Sequence, residues 1–375
     1  MTSAQPQLKA SILAQRAEID TLRAIVCVIL VLHHMVGISP SHGLELPLDH
    51  PISLLSHTTE DMRMPIFSFI SGMVFVRVTG LWPDARLTIR KKARRLLLPM
   101  ASVATVFWCA RQLVNTDQIP LPMIYVSSFA HFWFLQASFL IMTAAVLITC
   151  VLGGAHHRKI AAGLAVIGVL WWGLGLLPLP QTNWFSITNA AFLLPFFMSG
   201  YLVSQTPHLR LSLSTAPWAR PAGGLLLAIG LYVGWRLATH ELILTGTPRR
   251  LLAIALGASA CFGLLMLRPH SARLARVGTN AYAIYLFHVF FTAAVTHTWW
   301  ALASPGNIWA VTLLGVAIGM IGPVLLQHMI VRSPVAAQLF LGLPAARLRA
   351  GKQTDTQKGR AKTARPLQKQ TETSA

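Results

Sequence analysis

Apolar blocks of about 18–23 residues recur along this chain, the length a helix needs to cross a bilayer. They fall near residues 22–39, 63–79, 96–114, 131–152, 160–178, 185–204, 221–238, 250–268, 278–298 and 307–331. Inside lipid every backbone amide must find its partner within its own segment, so these blocks are expected to be helices. A soluble helical protein would instead show amphipathic stripes and about a quarter charged residues. Here 54% of residues are hydrophobic and 11% charged, with mean hydropathy +0.57. The expected fold class is therefore all-α, a polytopic membrane bundle of about ten transmembrane helices.

Charge decides orientation. Lys and Arg gather in the loops after even-numbered spans: Arg86, Arg90, Lys91, Lys92, Arg94 and Arg95, then Arg158 and Lys159, then Arg210 and Arg220, then Arg273 and Arg276 beside Arg268. The loops after spans 1, 5 and 9 hold none outside the span ends. Basic loops stay in the cytoplasm, so both termini are expected there. Arg249 and Arg250 break the pattern after span 7, with Arg236 just before it. Either they have a function on the outer side, or the span count is off in that region.

The domain reading is a cytoplasmic segment at 1–20, a membrane domain at 21–333, and a basic, disordered cytoplasmic tail at 334–375. That tail carries Arg347, Arg349, Lys352, Lys358, Arg360, Lys362, Arg365 and Lys369 against Asp355 and Glu372, and the whole chain has net charge +20. Such a polar, Gln/Thr/Lys-rich stretch cannot bury a core. Attraction to anionic lipid headgroups explains it better than nucleic-acid binding. Cys27, Cys109, Cys150 and Cys261 all lie in apolar blocks and read as small core residues. No metal-ligand spacing is present, so no metal is expected.

Ionisable groups inside a span are costly and point to function. Arg23 and His34 are eleven positions apart in span 1. That separation is three turns plus roughly 20°, so both lie on one stripe, about 16 Å apart along the axis. His33 sits off that stripe. In span 9, Tyr285 and His288 are neighbours at i, i+3, and His288 lies at a depth similar to His34, where the two histidines would flank one cavity. The bland alternatives are a snorkelling Arg with packed His residues and an aromatic interface belt. His131-Phe132-Trp133-Phe134-Leu135, opening span 4, fits an interface belt as well. Arg63 opens span 2 after Glu60 and Asp61, placed to pair with those acids or to hold an anionic or sugar ligand. In the run Arg90-Lys91-Lys92-Ala93-Arg94-Arg95, Lys91 shares a helical face with Arg94, and Lys92 with Arg95. Arg forks match phosphate oxygens, as coenzyme A would require, although such a run also serves topology alone.

The ordered set of these segments resembles the acyltransferase-3 family of integral membrane acyltransferases, over about residues 18–331. The matching pieces are Arg23 with His34, then Met62-Arg63-Met64-Pro65-Ile66-Phe67-Ser68-Phe69-Ile70-Ser71-Gly72, and Arg94-Arg95-Leu96-Leu97-Leu98-Pro99. They continue with His131-Phe132-Trp133-Phe134-Leu135, Pro195-Phe196-Phe197-Met198-Ser199-Gly200-Tyr201-Leu202, and Tyr282-Ala283-Ile284-Tyr285-Leu286-Phe287-His288. Two features depart from the family pattern. Its Arg-x-x-Arg signature entering span 3 appears only as Lys91-x-x-Arg94 or Lys92-x-x-Arg95. The Glu that follows the span-4 Trp in many long members is absent, with Gln136 and Ser138 nearby, which favours the short, single-domain branch.

The resemblance implies a multi-pass protein of the bacterial inner membrane that O-acylates a carbohydrate, with acetyl-CoA or another acyl-CoA as donor substrate and no tightly bound cofactor. It implies donor docking against Arg23 and Arg90, Lys91, Lys92, Arg94 and Arg95. His34 is then expected as the general base, a role an imidazole suits, or as the nucleophile of an acyl-histidine intermediate, and His288 completes the catalytic cavity. Arg63, His131, Trp133 and Tyr285 fall on the acceptor side. The expected partners are the acyl-CoA, the carbohydrate acceptor and the bilayer, with no nucleic acid. A carrier or flippase for a lipid-linked saccharide or small metabolite would use the same intramembrane residues for proton coupling or anion binding.

Overall fold

The computed structural model describes residues 4–37, 43–114, 119–176, 180, 182–302 and 307–344. Among them the secondary structure is helical, with no strand. The first half runs α1 (Ala4–Val36), α2 (Pro51–Thr58), α3 (Glu60–Met73), α4 (Trp82–Val114), α5 (Met123–Val126), α6 (Trp133–Leu152) and α7 (His157–Gly168). The second runs α8 (Ile187–Gln205), α9 (Pro207–Thr215), α10 (Ala219–Ala238), α11 (Gly246–Leu267), α12 (Ala272–Gly278), α13 (Ala281–Ala301), α14 (Ile308–Ile330) and α15 (Pro334–Leu341).

Seven helical stretches, those holding α1, α4, α6, α8, α10, α11 and α14, are long and apolar enough to cross a membrane. The other three expected spans are α3, α7 and α13. Helix α3 has 14 residues, and α7 has 12 before a π turn at Val169–Gly173. Helix α13 has 21 residues but carries Tyr282, Tyr285, His288 and His297. Two of these less apolar helices bring Arg63 and His288 into the protein interior.

Span 2 ends earlier than expected, at Met73 rather than near residue 79. The following chain is held by α8 instead: the Val78 amide donates to the Tyr201 hydroxyl (3.4 Å), which also meets His157 Nδ1 at 3.0 Å. Span 3 is the upper part of a longer helix. Helix α4 has 33 residues, about 50 Å at 1.5 Å per residue, against roughly 30 Å of hydrocarbon. Its basic run therefore rides on a helical extension.

Helices α3 and α8 pack closely because each places a Gly against the other's backbone. A Cβ at Gly72 would strike the Phe197 carbonyl oxygen, and one at Gly200 would strike that of Phe69. The Ser-Gly pairs noted in both segments are thus a reciprocal close approach of the kind that joins helices in membranes.

Contacts sort the connecting segments into two ends. At one end Trp300 Nε1 donates to the Gly43 carbonyl (3.1 Å), Arg249 pairs with Asp61 (2.9 Å) and Arg250 reaches the Trp172 carbonyl (3.5 Å). At the other, Thr21 Oγ1 donates to the Ser271 carbonyl (3.3 Å), Arg268 Nε binds Glu18 (3.1 Å) and the Tyr282 hydroxyl donates to the Arg95 carbonyl. The first set follows spans 1, 5, 7 and 9, and the second holds the even-numbered exits. The three arginines that broke the charge pattern are all engaged, since Arg236 also pairs with Glu241 at 2.6 Å.

Two expectations need correction. Residues 334–341 are not disordered: they form α15, which packs on α4, because Ser333 caps the helix by accepting from the Ala336 amide and Ala337 and Leu341 are buried. Residues 345–375, with every basic residue of the tail, lie outside the described residues. Among the cysteines, Cys27 and Cys261 are buried, whereas Cys150 is half-buried and Cys109 exposed. Cys150 still packs against the core from α6, so it is Cys109, on an exposed face of α4, that departs from the core reading.

Candidate active site

Three imidazoles from three helical segments meet inside the bundle at the end that holds Asp61 and Arg249. His34 ends α1, His131 lies in the short turn Ala130–Phe132 ahead of α6, and His288 is in the middle of α13. Ring centroids are 4.9 Å apart for His34 and His288, 5.9 Å for His34 and His131, and 5.2 Å for His131 and His288. His288 is 0% exposed and His131 5%. His34 alone of the three keeps partial exposure.

Hydrogen bonding sets the tautomers. His288 Nδ1 lies 2.9 Å from both the Ile284 and Tyr285 carbonyls, which assigns the proton to Nδ1 and leaves Nε2 as the bare nitrogen. His131 Nε2 faces the Leu286 carbonyl at 3.3 Å, which leaves its Nδ1 bare. Both bare nitrogens are buried without a protein partner, and so is Nη1 of Arg63. A buried polar atom left unpaired costs about 1–3 kcal/mol. Three of them around one partly open imidazole mark a place built for polar atoms of something else.

The backbone presents His131 by an unusual turn. Ala130 has φ of 43°, in the left-handed region, which costs a non-glycine residue roughly 1–2 kcal/mol. Tyr285 holds the result: its hydroxyl donates to the His131 carbonyl, and its ring lies 5.7 Å from the imidazole. That hydroxyl is committed to scaffolding. Phe107 and Phe132 close over His131 at 5.9 and 4.0 Å. Trp133 lies 6.1 Å from Phe134, half-buried.

Arg63 is 5% exposed and lies within electrostatic range of His33, His34, Glu60 and Asp61. His33 Nδ1 meets Ser56 Oγ of α2 at 3.0 Å. Helix α2 was not foreseen from the sequence, because eight residues carry too little periodicity to separate a helix from a loop.

The remaining sequence candidates lie at the opposite end. Arg23 binds Asp20 at 2.7 Å, about 16 Å from His34 along α1. Arg90 and Lys91 are exposed. Lys92 sits 5.2 Å over the Phe75 ring, and Arg94 has a buried, unpartnered Nε. Arg95 is built into the structure: it lies 3.9 Å over Tyr282 and donates to the Leu341 carbonyl. Among the described residues no group of three or more His, Cys, Asp or Glu is arranged to hold a metal ion.

A family model described as an acyltransferase domain, that of the acyltransferase-3 family, matches residues 16–328. The chain belongs to this family. Neither a curated protein nor a solved structure matches it. The matched residues contain all three imidazoles, Arg63 and the basic run of α4. As a member of the acyltransferase-3 family with several apolar helices, the protein is a multi-pass membrane acyltransferase.

Proposed function

We propose that this acyltransferase-3 member moves an acetyl group from acetyl-CoA onto a hydroxyl of a cell-surface or exported carbohydrate, in the bacterial inner membrane with both termini in the cytoplasm. One observation carries the reading. His34 is partly open at the centre of buried, unpaired polar atoms, at the end of the bundle opposite the basic extension of α4. Coenzyme A binds through its phosphates at Arg90, Lys91, Lys92 and Arg94, with Arg23 nearby. Its thioester arm extends along the bundle toward His34.

At His34 the acceptor hydroxyl loses its proton to the imidazole as its oxygen attacks the thioester carbonyl. The tetrahedral intermediate carries an oxyanion, which Arg63 stabilises in a site of low dielectric. Collapse breaks the carbon–sulfur bond, and the proton held by His34 passes to the departing thiolate. The products are the acyl ester and free coenzyme A, with no net proton. His288 Nε2 accepts a hydrogen bond from the His34 N–H, orienting the ring and stabilising its imidazolium. His131 Nδ1, the other bare nitrogen, accepts from a neighbouring hydroxyl of the acceptor.

The test is coenzyme A release by purified protein. The wild type is expected to release it only when carbohydrate is added, and His34→Ala is expected to release none above background while keeping its fold. Carbohydrate-independent release, or near-normal turnover in His34→Ala, would overturn the assignment. A carrier would consume no thioester at all.

A further inference from the structure

A cavity of about 370 Å³ opens between the junction of α2 with α3 and the loop joining α10 to α11. That volume is within the range of small-molecule sites, roughly 300–1,000 Å³. His57, Glu60 and Asp61 line one wall, and His240, Leu242 and Arg249 the other. None of these residues matched the segments that suggested acyl transfer.

The fixed charges around this cavity balance. Asp61 binds Arg249 at 2.9 Å, and Glu60 lies within electrostatic range of the Arg63 guanidinium behind it. A cavity for an anion or a cation would keep an uncompensated charge of the opposite sign. Paired carboxylates and a guanidinium instead offer many acceptors and donors with little net field, which matches a neutral, hydroxyl-rich ligand. A carboxylate accepts from two neighbouring hydroxyls, and a guanidinium donates to ring and hydroxyl oxygens.

None of the three clustered imidazoles lines the cavity, but its acidic wall lies within electrostatic range of their neighbours. Glu60 and His57 lie within electrostatic range of His33, the neighbour of His34 in chain and in space, at 5.2 Å between rings. Arg63 stands behind Glu60 and Asp61, within range of both acids and of His34. Its buried Nη1 has no partner. A ligand seated among Glu60, Asp61 and Arg249 would reach His34 past Arg63.

We infer that the cavity between the α2–α3 junction and the α10–α11 loop is the acceptor subsite, holding a neutral glycosyl unit through Glu60, Asp61 and Arg249 with one hydroxyl turned toward His34. This rests on the acyl-transfer reading above. It also explains why three arginines sit where the charge pattern disfavours them: Arg249 binds acceptor, while Arg236 and Arg250 hold the loop through Glu241 and the Trp172 carbonyl.

The experiment uses the full-length protein in detergent, labelled acetyl-CoA, and envelope glycan isolated from a deletion strain of the host and base-deacylated. Glycan and acetyl-CoA are titrated separately. Glu60→Gln and Arg249→Gln are expected to raise the half-saturating glycan concentration at least tenfold and leave that for acetyl-CoA within twofold. Leu242→Trp, which narrows the cavity without removing a charge, should do the same. Unchanged glycan saturation in all three variants, or equal shifts for glycan and acetyl-CoA, would overturn the subsite. Failure of the wild type to label glycan would sink the acyl-transfer reading and the subsite together, and is told apart because it needs no variant.

Discussion

The two ends of this bundle differ in how their buried polar groups are satisfied. At the end of Arg23 most of the cations have partners, Arg23 with Asp20, Arg268 with Glu18, Arg95 with Tyr282 and the Leu341 carbonyl, and Nε of Arg94 is left without one. At the end of His34, bare nitrogens of His131 and His288 and Nη1 of Arg63 are buried with none. An ion pair that ties two helices together is satisfied in the resting protein. Unpaired donors and acceptors are satisfied only by what arrives. In the proposed mechanism the first end docks the donor and the second makes the new bond.

The most severe way to break that contrast is His34→Ala. Turnover is expected to fall by about 10³-fold or more, as for loss of a general base, with binding of acetyl-CoA unchanged by calorimetry. Next comes His288→Gln, which removes the bare nitrogen but nearly keeps the volume. A fall of roughly 10²-fold in kcat is expected, with half-saturation for both substrates retained. An equal loss through KM would make His288 a binding residue instead.

How far this arrangement was legible in the chain depends on where each signal lay. His34 and His288 were readable because single helices set their depth by counting residues. His131 read equally well as part of an interface belt. Its position in the cluster depends on the left-handed turn at Ala130, and alanine gives no warning of positive φ. The Ser-Gly pairs near residues 72 and 200 were visible as a match, but their meaning is a contact between helices far apart in sequence. The partner of Arg249 could not be read at all, since Asp61 lies in the first turn of a helix far away in sequence and opposite charges are common. The shortness of α3 was hidden because its apolar run continues past Met73 into a segment held by Tyr201.

Milder substitutions sharpen the comparison from the satisfied end. Arg23→Ala is expected to weaken acetyl-CoA saturation by about tenfold, one contact to a phosphate being worth roughly 1.4 kcal/mol, with kcat within twofold. A fall in kcat alone would move Arg23 into the chemistry despite its distance. Smallest is the Arg268–Glu18 pair. A double-mutant cycle with alanine at each position should give a coupling of about 0.2–1 kcal/mol in thermal stability and no change in kcat.

The most direct test of the central claim is mass spectrometry of the host's cell-envelope glycans in a deletion strain, complemented with the wild type or with His34→Ala at matched membrane levels. The account predicts that one discrete acyl mass disappears on deletion and returns with the wild type only. Glycan acylation unchanged by the deletion, with no second enzyme of the same activity in the strain, or restored by His34→Ala, would contradict it.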